Sequence, residues 1–426
     1  MKIKKYQFSS LIFVMFVSVL TLELYVIVYE QFIYKTFAYY GFEKNEISIV
    51  RHLAILSTYV MCSSIHRSYF ASPTDFLMHY FNFLMVLPVS VMACVGAVSD
   101  TLLFLVVSSY LLIATTVSFG ERLPKLLLNP LHLRKRFVTP SFAILALLTL
   151  SIFVIYKGPN LNFDFINTDI YAYRAESKGV FTGSLAYVMK WMSYCIFPFI
   201  LIWGMHKKQK WLILLAVVGQ IIIFGFTNHK SYFGNIVLIF VTFYLINVLC
   251  KKSSFSNSVV VQSLFLFASL AIFLLSLSDY GILGSLFFRR MFFWPSLISD
   301  SYVAHGLEYG FLNFQNSMPV ADLVSEYMGR DEYTNTAFIA NAFIQGGVLL
   351  VMAINVLVAS VLILYNRLFG NRLPLVIMSC FCIITFRPLF ASDFFVALLS
   401  NGVAFMFLLQ LVFFNSKKLG KYGKPW

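Results

Sequence analysis

Residues 207–252 read KKQKWLILLAVVGQIIIFGFTNHKSYFGNIVLIFVTFYLINVLCKK. Two apolar runs, 210–226 and 230–249, each approach the length of about 20 residues that carries an α-helix across a bilayer core. Lysines close both outer ends, and only the turn Thr227-Asn228-His229-Lys230-Ser231 separates the runs. The stretch therefore reads as a hairpin of two membrane helices whose lysine-rich ends share one side of the membrane.

The same block pattern continues in both directions. Of 426 residues, 60% are hydrophobic and only 12% charged, and the mean hydropathy is +0.81. Soluble domains are about 45–50% apolar and about 25% charged, so a soluble globular enzyme is excluded. The blocks are too long for the alternating strands of a membrane barrel. The fold class read from the sequence is an all-α polytopic membrane protein of about 12 transmembrane helices. The expected spans are 9–28, 47–65, 76–97, 99–119, 138–156, 181–203, 210–226, 230–249, 258–277, 337–365, 373–390 and 393–414.

Charge then sets the orientation. The net charge of +14 would suggest nucleic acid in a soluble protein, but here the location of the charges assigns them to topology. With both termini in the cytoplasm, the inner segments collect Lys2, Lys4, Lys5, Arg67, the Arg122–Arg136 cluster and Lys207, Lys208 and Lys210. Further along they collect Lys251, Lys252, Arg367, Arg372 and the lysines of the tail. Asp75 and Glu121 are the acids among them. The N-terminal segment has the charge-then-apolar pattern of a signal peptide without a small-residue cleavage site, and reads as a retained first helix. All six cysteines lie in or beside expected spans, so no disulfide framework is expected.

The chain reads as a single integral membrane domain, 1–426, with two long outer loops, 157–180 and 278–336. Loops of the second length usually carry function. From Pro319 to Met328, Val320, Leu323, Val324 and Tyr327 recur at helical spacing, which predicts a short amphipathic helix lying on the membrane surface. Arg289 and Arg290 precede the aromatic run Met291-Phe292-Phe293-Trp294. That pattern admits two readings: an interfacial aromatic belt with snorkelling arginines, or guanidinium forks placed to bind the phosphates of a lipid-linked substrate. The first loop carries Tyr171, Tyr173, Arg174, Glu176 and Lys178. Lys190 lies about nine residues, roughly 13 Å, into the next span. It is either a functional group facing the protein interior, or a partner of Glu23 or a lysine snorkelling outward. Lys230 and Arg387 add cations at the membrane surface. His305, within Asp300 to Glu308, is either structural or a general base near neutral pH. Walker A, H-E-x-x-H, G-x-S-x-G and D-x-D motifs are absent from the sequence.

From Tyr171 to Phe414 the layout resembles the Wzy-type O-antigen or capsule polysaccharide polymerases of bacterial envelopes. The resemblance rests on the Tyr171–Arg174 region, the turn at Lys230, the paired Arg289 and Arg290, and Asp322-Leu-Val-Ser-Glu-Tyr leading to Asn335-Thr336-Ala337-Phe338. The Gly346-Gly347 pair completes it. Relatives often carry Arg where this chain has Lys230. The resemblance implies a GT-C-like architecture in the bacterial inner membrane. It also implies glycosyl transfer between undecaprenyl-pyrophosphate-linked oligosaccharides on the outer face. Arg174, Lys190, Lys230, Arg289 and Arg290 would then bind the substrate pyrophosphates, and His305, Glu176, Asp300 and Glu308 are the candidates for the base. Cations take the place of a metal, and no cofactor is needed. The expected partners are the lipid-linked oligosaccharides and the bilayer, with no nucleic acid; docking of a chain-length regulator on the outer loops is left open. An O-antigen ligase and a lipid-linked oligosaccharide flippase are the alternatives.

Overall fold

The computed structural model describes residues 2–66, 69–120, 122–124, 126, scattered positions between 144 and 163, 183–251, 256–277, 281–330, 336–370 and 372–414. These residues form helices and connections with no strand. Among them, nine helices are long and apolar enough to cross a membrane. The protein is thus a multi-pass helical membrane protein. The expected spans at 47–65 and 373–390 are helices too, but shorter: Ile49–Ser64 has 16 residues, and Leu375–Phe390 is a short apolar helix. Most of the expected span at 138–156, and the 157–180 loop except Phe163, lie outside the described residues.

The chain forms two compact units, each assembled from separated segments. The first holds Met1–Pro124, Lys252–Leu364 and Leu389–Phe394; the second holds Lys125–Lys251, Tyr365–Pro388 and Phe395–Trp426.

In the first unit, α1 (Lys2–Val28) runs on through a π-helical turn, Tyr29–Tyr34, to Tyr40. It continues well beyond the expected end at residue 28 because Tyr29, Phe32 and Ile33 are buried there. The unit also contains α2 (Ile49–Ser64), α3 (Pro73–Cys94), α4 (Asp100–Gly120) and, later in the chain, α8 (Asn257–Ser276). Polar side chains tie the helices where apolar packing alone gives little preference over lipid. Ser18 donates to Gln262 at 3.1 Å, Tyr25 shares a hydrogen bond with Ser269 at 3.0 Å, and Asn355 donates to Ser109 at 2.8 Å.

The 278–336 connection is largely helical. A π segment, Ser285–Phe293, leads directly into α9 (Trp294–Glu308), and α10 (Val320–Tyr327) follows. Phe288, Phe292 and Phe293 are all buried, each with its ring centroid within 6.2 Å of that of Tyr25. The widened π turns change the register around the segment, as such turns often do near functional sites. The expected helix at 319–328 is present, but its partner is protein. Fully buried Val324 joins Ile298, Tyr302, Ala340 and Ile344 in one cluster, with Val320, Leu323 and Met328 packed against it. Its apolar stripe packs against α9 and against Ala340 and Ile344.

The long helix α11 (Phe338–Phe369) is broken at Gly346 and Gly347, where Gly347 has φ 64°. The break frees carbonyls that need donors. Backbone N–H groups of the connection supply them: Leu312 donates to Ile344 O at 3.0 Å and Asn313 to Gln345 O at 2.9 Å.

The second unit contains α5 (Gly183–Lys207), α6 (Lys210–Thr227), α7 (Lys230–Lys251), α12 (Leu375–Phe386) and α13 (Val403–Phe413). The hairpin read from residues 207–252 is present, with its α6–α7 turn through Asn228 at φ 51°. A π turn in α5, Met192–Ile196, accompanies a Ser193 carbonyl that accepts from Gln220 at 2.7 Å and Asn235 at 3.1 Å.

Candidate functional site

The left-handed Gly41, φ 73°, ends the first helix just after Tyr40. Two guanidinium groups lie over the Tyr40 ring, that of Arg289 at 4.7 Å and that of Arg330 at 5.5 Å from the centroid. Arg289 also covers Phe37 at 4.5 Å, and Arg330 covers Trp294 at 4.7 Å. The Nε of Arg289 donates to Ser285 at 3.1 Å. Arg330 is delivered by the end of α10, where Gly329 is left-handed and the Arg330 N–H donates to Ser325 O at 2.9 Å. Among the described residues neither arginine pairs with a carboxylate. Aromatic faces hold the two cations and leave guanidinium N–H groups for an anion. Arg290 is exposed beside them.

Further along α9, His305 is 8% exposed, with Tyr309 at 5.0 Å and Tyr327 at 5.4 Å between ring centroids. Its Nδ1 has no hydrogen-bond partner among the described residues. Burial holds the imidazole below its usual range, outweighing the opposite pull of Glu308, so it is neutral at pH 7. Glu308, three residues on and on the same face, accepts from Tyr327 Oη at 3.0 Å and lies close enough to act on the Tyr309 phenol. Glu308 raises the Tyr309 phenol; for Tyr327, burial leads and Glu308 adds to it.

Asp300 is engaged elsewhere. Its carboxylate accepts from Ser99 Oγ at 2.6 Å and Ser99 N at 3.1 Å, while Ser99 Oγ caps α4 by accepting from Leu102 N at 3.2 Å. Burial raises its carboxyl against the lowering effect of those bonds. Of the four base candidates, the structure brings His305 and Glu308 together, ties Asp300 to Ser99, the residue that caps α4, and leaves Glu176 outside the described residues.

The five expected phosphate-binding cations fall in both units. Arg289 and Arg290 belong to the first; Lys190 and Lys230, both half-buried, belong to the second, as does the chain position of Arg174, which lies outside the described residues. In the second unit Arg387 donates to Ser231 O at 3.1 Å and to Asn235 Oδ1, which fixes it beside the turn that holds Lys230. Glu23, the alternative partner for Lys190, accepts from His52 Nε2 at 2.8 Å in the first unit. No protein-family model, curated protein or solved structure matches the chain.

The sequence reading misses Arg330, Tyr40, Tyr309 and Tyr327 as site residues. A signal for Arg330 is present, since Met328-Gly329 marks the end of an amphipathic helix and the next side chain is aimed by that turn. Tyr40 carries no comparable signal. Among the described residues, no group of His, Cys, Asp or Glu is assembled that could hold a metal ion. The positive charge described in the first unit's site comes from its two aromatic-held guanidinium groups and the exposed Arg290.

Proposed function

We propose that the protein is a polysaccharide polymerase that joins polyprenyl-pyrophosphate-linked oligosaccharide repeat units on the outer face of a bacterial plasma membrane. The observation that carries this reading is the placement of Arg289 and Arg330 on Tyr40 and Trp294 without a carboxylate partner, with a neutral buried imidazole further along the same helical segment. Arg289 and His305 are separated by roughly 16 residues of helix, about 24 Å. A lipid-linked oligosaccharide has the same layout, with a pyrophosphate at one end and a terminal sugar hydroxyl a few sugars away.

In the proposed reaction the arginines hold the pyrophosphate of the acceptor. His305 takes the proton of its terminal hydroxyl as that oxygen bonds to the anomeric carbon of the growing chain. The bond from that carbon to the donor's pyrophosphate breaks, and the polyprenyl pyrophosphate leaves with the electron pair. Cations favour this departure by stabilising the developing charge. Lys190, Lys230 and Arg174 are assigned to lipid pyrophosphates on the same grounds of charge. The reading further assigns twelve spans, a GT-C-like architecture, cytoplasmic termini and an outer 278–336 connection.

Chain extension in a deletion strain complemented with Arg289→Ala or Arg330→Ala tests the proposal. The expected gel of surface polysaccharide collapses from a ladder to core plus one repeat unit. A full ladder with both variants refutes it.

One observation favours a second reading, transport of the lipid-linked oligosaccharide. Helix α11 is broken at Gly346–Gly347, and another helix is interrupted between Leu398 and Val403, as in many transporters. Yet carbonyls at both breaks have protein donors: Leu312 and Asn313 at the first, Trp191 at 3.4 Å and the Cys195 thiol at 3.3 Å at the second. Repeat units stranded on the inner face in the deletion strain would favour transport.

A further inference from the structure

We infer that Tyr309 and Tyr327, with Glu308 on the Tyr327 hydroxyl, form a carbohydrate platform that seats the terminal pyranose of the oligosaccharide beside His305. The inference rests on the proposed function for which oligosaccharide is bound, and on the geometry alone for the chemical class. Tyr309 is 66% exposed and Tyr327 37% exposed, with ring centroids 6.0 Å apart and planes at 83°. One ring can therefore lie flat under a sugar while the other stands at its edge. Aromatic faces accept the C–H face of a pyranose by dispersion and burial of apolar surface. The hydroxyls at the sugar's rim then need polar partners. Glu308 is held for this purpose by the Tyr327 phenol, which uses only part of its acceptor capacity. The Nδ1 of His305, without a partner among the described residues, is a further polar atom in the same cluster.

A surface built only to sit in lipid would have no use for a carboxylate fixed by a phenol donor beside a second exposed phenol. That carboxylate, which would be costly in hydrocarbon, favours a hydroxylated ligand over the bilayer.

The test uses the full-length protein in nanodiscs and a panel of methyl glycosides of hexoses and N-acetylhexosamines, read by saturation-transfer NMR. Transfer to the C–H protons of at least one glycoside is expected. Tyr309→Ala should weaken it roughly tenfold, while Tyr309→Phe, which keeps the ring, should stay within about threefold. Absence of transfer from every glycoside, or equal transfer with Tyr309→Ala, overturns the inference. Tyr309→Trp provides a second measurement: its emission should respond to the bound glycoside, and quenching by brominated lipid would show a membrane anchor instead. The two proposals fail separately. Sugar binding with a normal ladder in the deletion strain leaves the platform and removes the polymerase. A ladder that depends on Arg289 and Arg330 without sugar binding leaves the polymerase and removes the platform.

Discussion

Arg330 shows how a cation acquires a role from its surroundings. Its guanidinium lies on Trp294 and Tyr40, a planar arrangement that an ammonium group cannot reproduce. Arg330→Lys is therefore expected to retain charge but lower chain extension roughly tenfold, as measured by incorporation of labelled repeat units. His305 makes a prediction in pH. Because burial lowers its folded pKa, the neutral form persists to lower pH, and the acid limb of activity should fall below the ordinary histidine value of about 6.5. Below that value the unfolded chain takes up a proton that the folded site resists, so stability also declines as pH falls toward the folded pKa. His305→Gln should abolish activity and flatten this part of the stability profile. Asp300 should behave differently. Asp300→Asn keeps an oxygen that can accept from Ser99 and should leave extension largely intact, whereas Ser99→Ala should cost about 1 kcal/mol through the lost cap of α4.

Among the elements, α10 is legible in the sequence because Val320, Leu323, Val324 and Tyr327 follow the helical period. Its docking partner is not, since periodicity gives the direction of an apolar stripe and not what covers it. The π segment at Ser285–Phe293 is hidden for a related reason: its register depends on Tyr25, far away in the chain, packing against Phe288, Phe292 and Phe293. The break in α11 is visible as Gly346-Gly347, but its function as a seam for the connection is not. At Gly347 an added Cβ would meet the Phe311 ring at 2.8 Å, and φ is left-handed. Gly347→Ala should lower stability by about 1–3 kcal/mol, measured by unfolding in detergent. Val324→Asp should unseat α10 and remove Arg330 from Tyr40, with loss of extension as well as stability.

For the whole molecule, composition and charge make a multi-pass helical protein readable from the amino-acid sequence, because span length and hydropathy are local properties. The site is less readable: Tyr40 and Arg330 lie in distant parts of the chain, and no local pattern connects them. The proposed orientation can be checked with single cysteines on a background cleared of the native ones. A cysteine at Asn316 should react with an impermeant maleimide from outside the cell, and one at Gln209 only after permeabilisation. The reverse pattern would invert the topology and the placement of the proposed reaction.

The seam between Leu312, Asn313 and the broken helix also divides the connection into positions that tolerate added sequence and positions that do not. An epitope tag between Leu312 and Asn313 would separate the paired N–H groups that meet Ile344 and Gln345. Placed between Asn316 and Ser317, the same tag leaves both of those pairs in place and interrupts the Asn316 side-chain bond to Met318 O, which makes that site the more practical handle for purification and imaging.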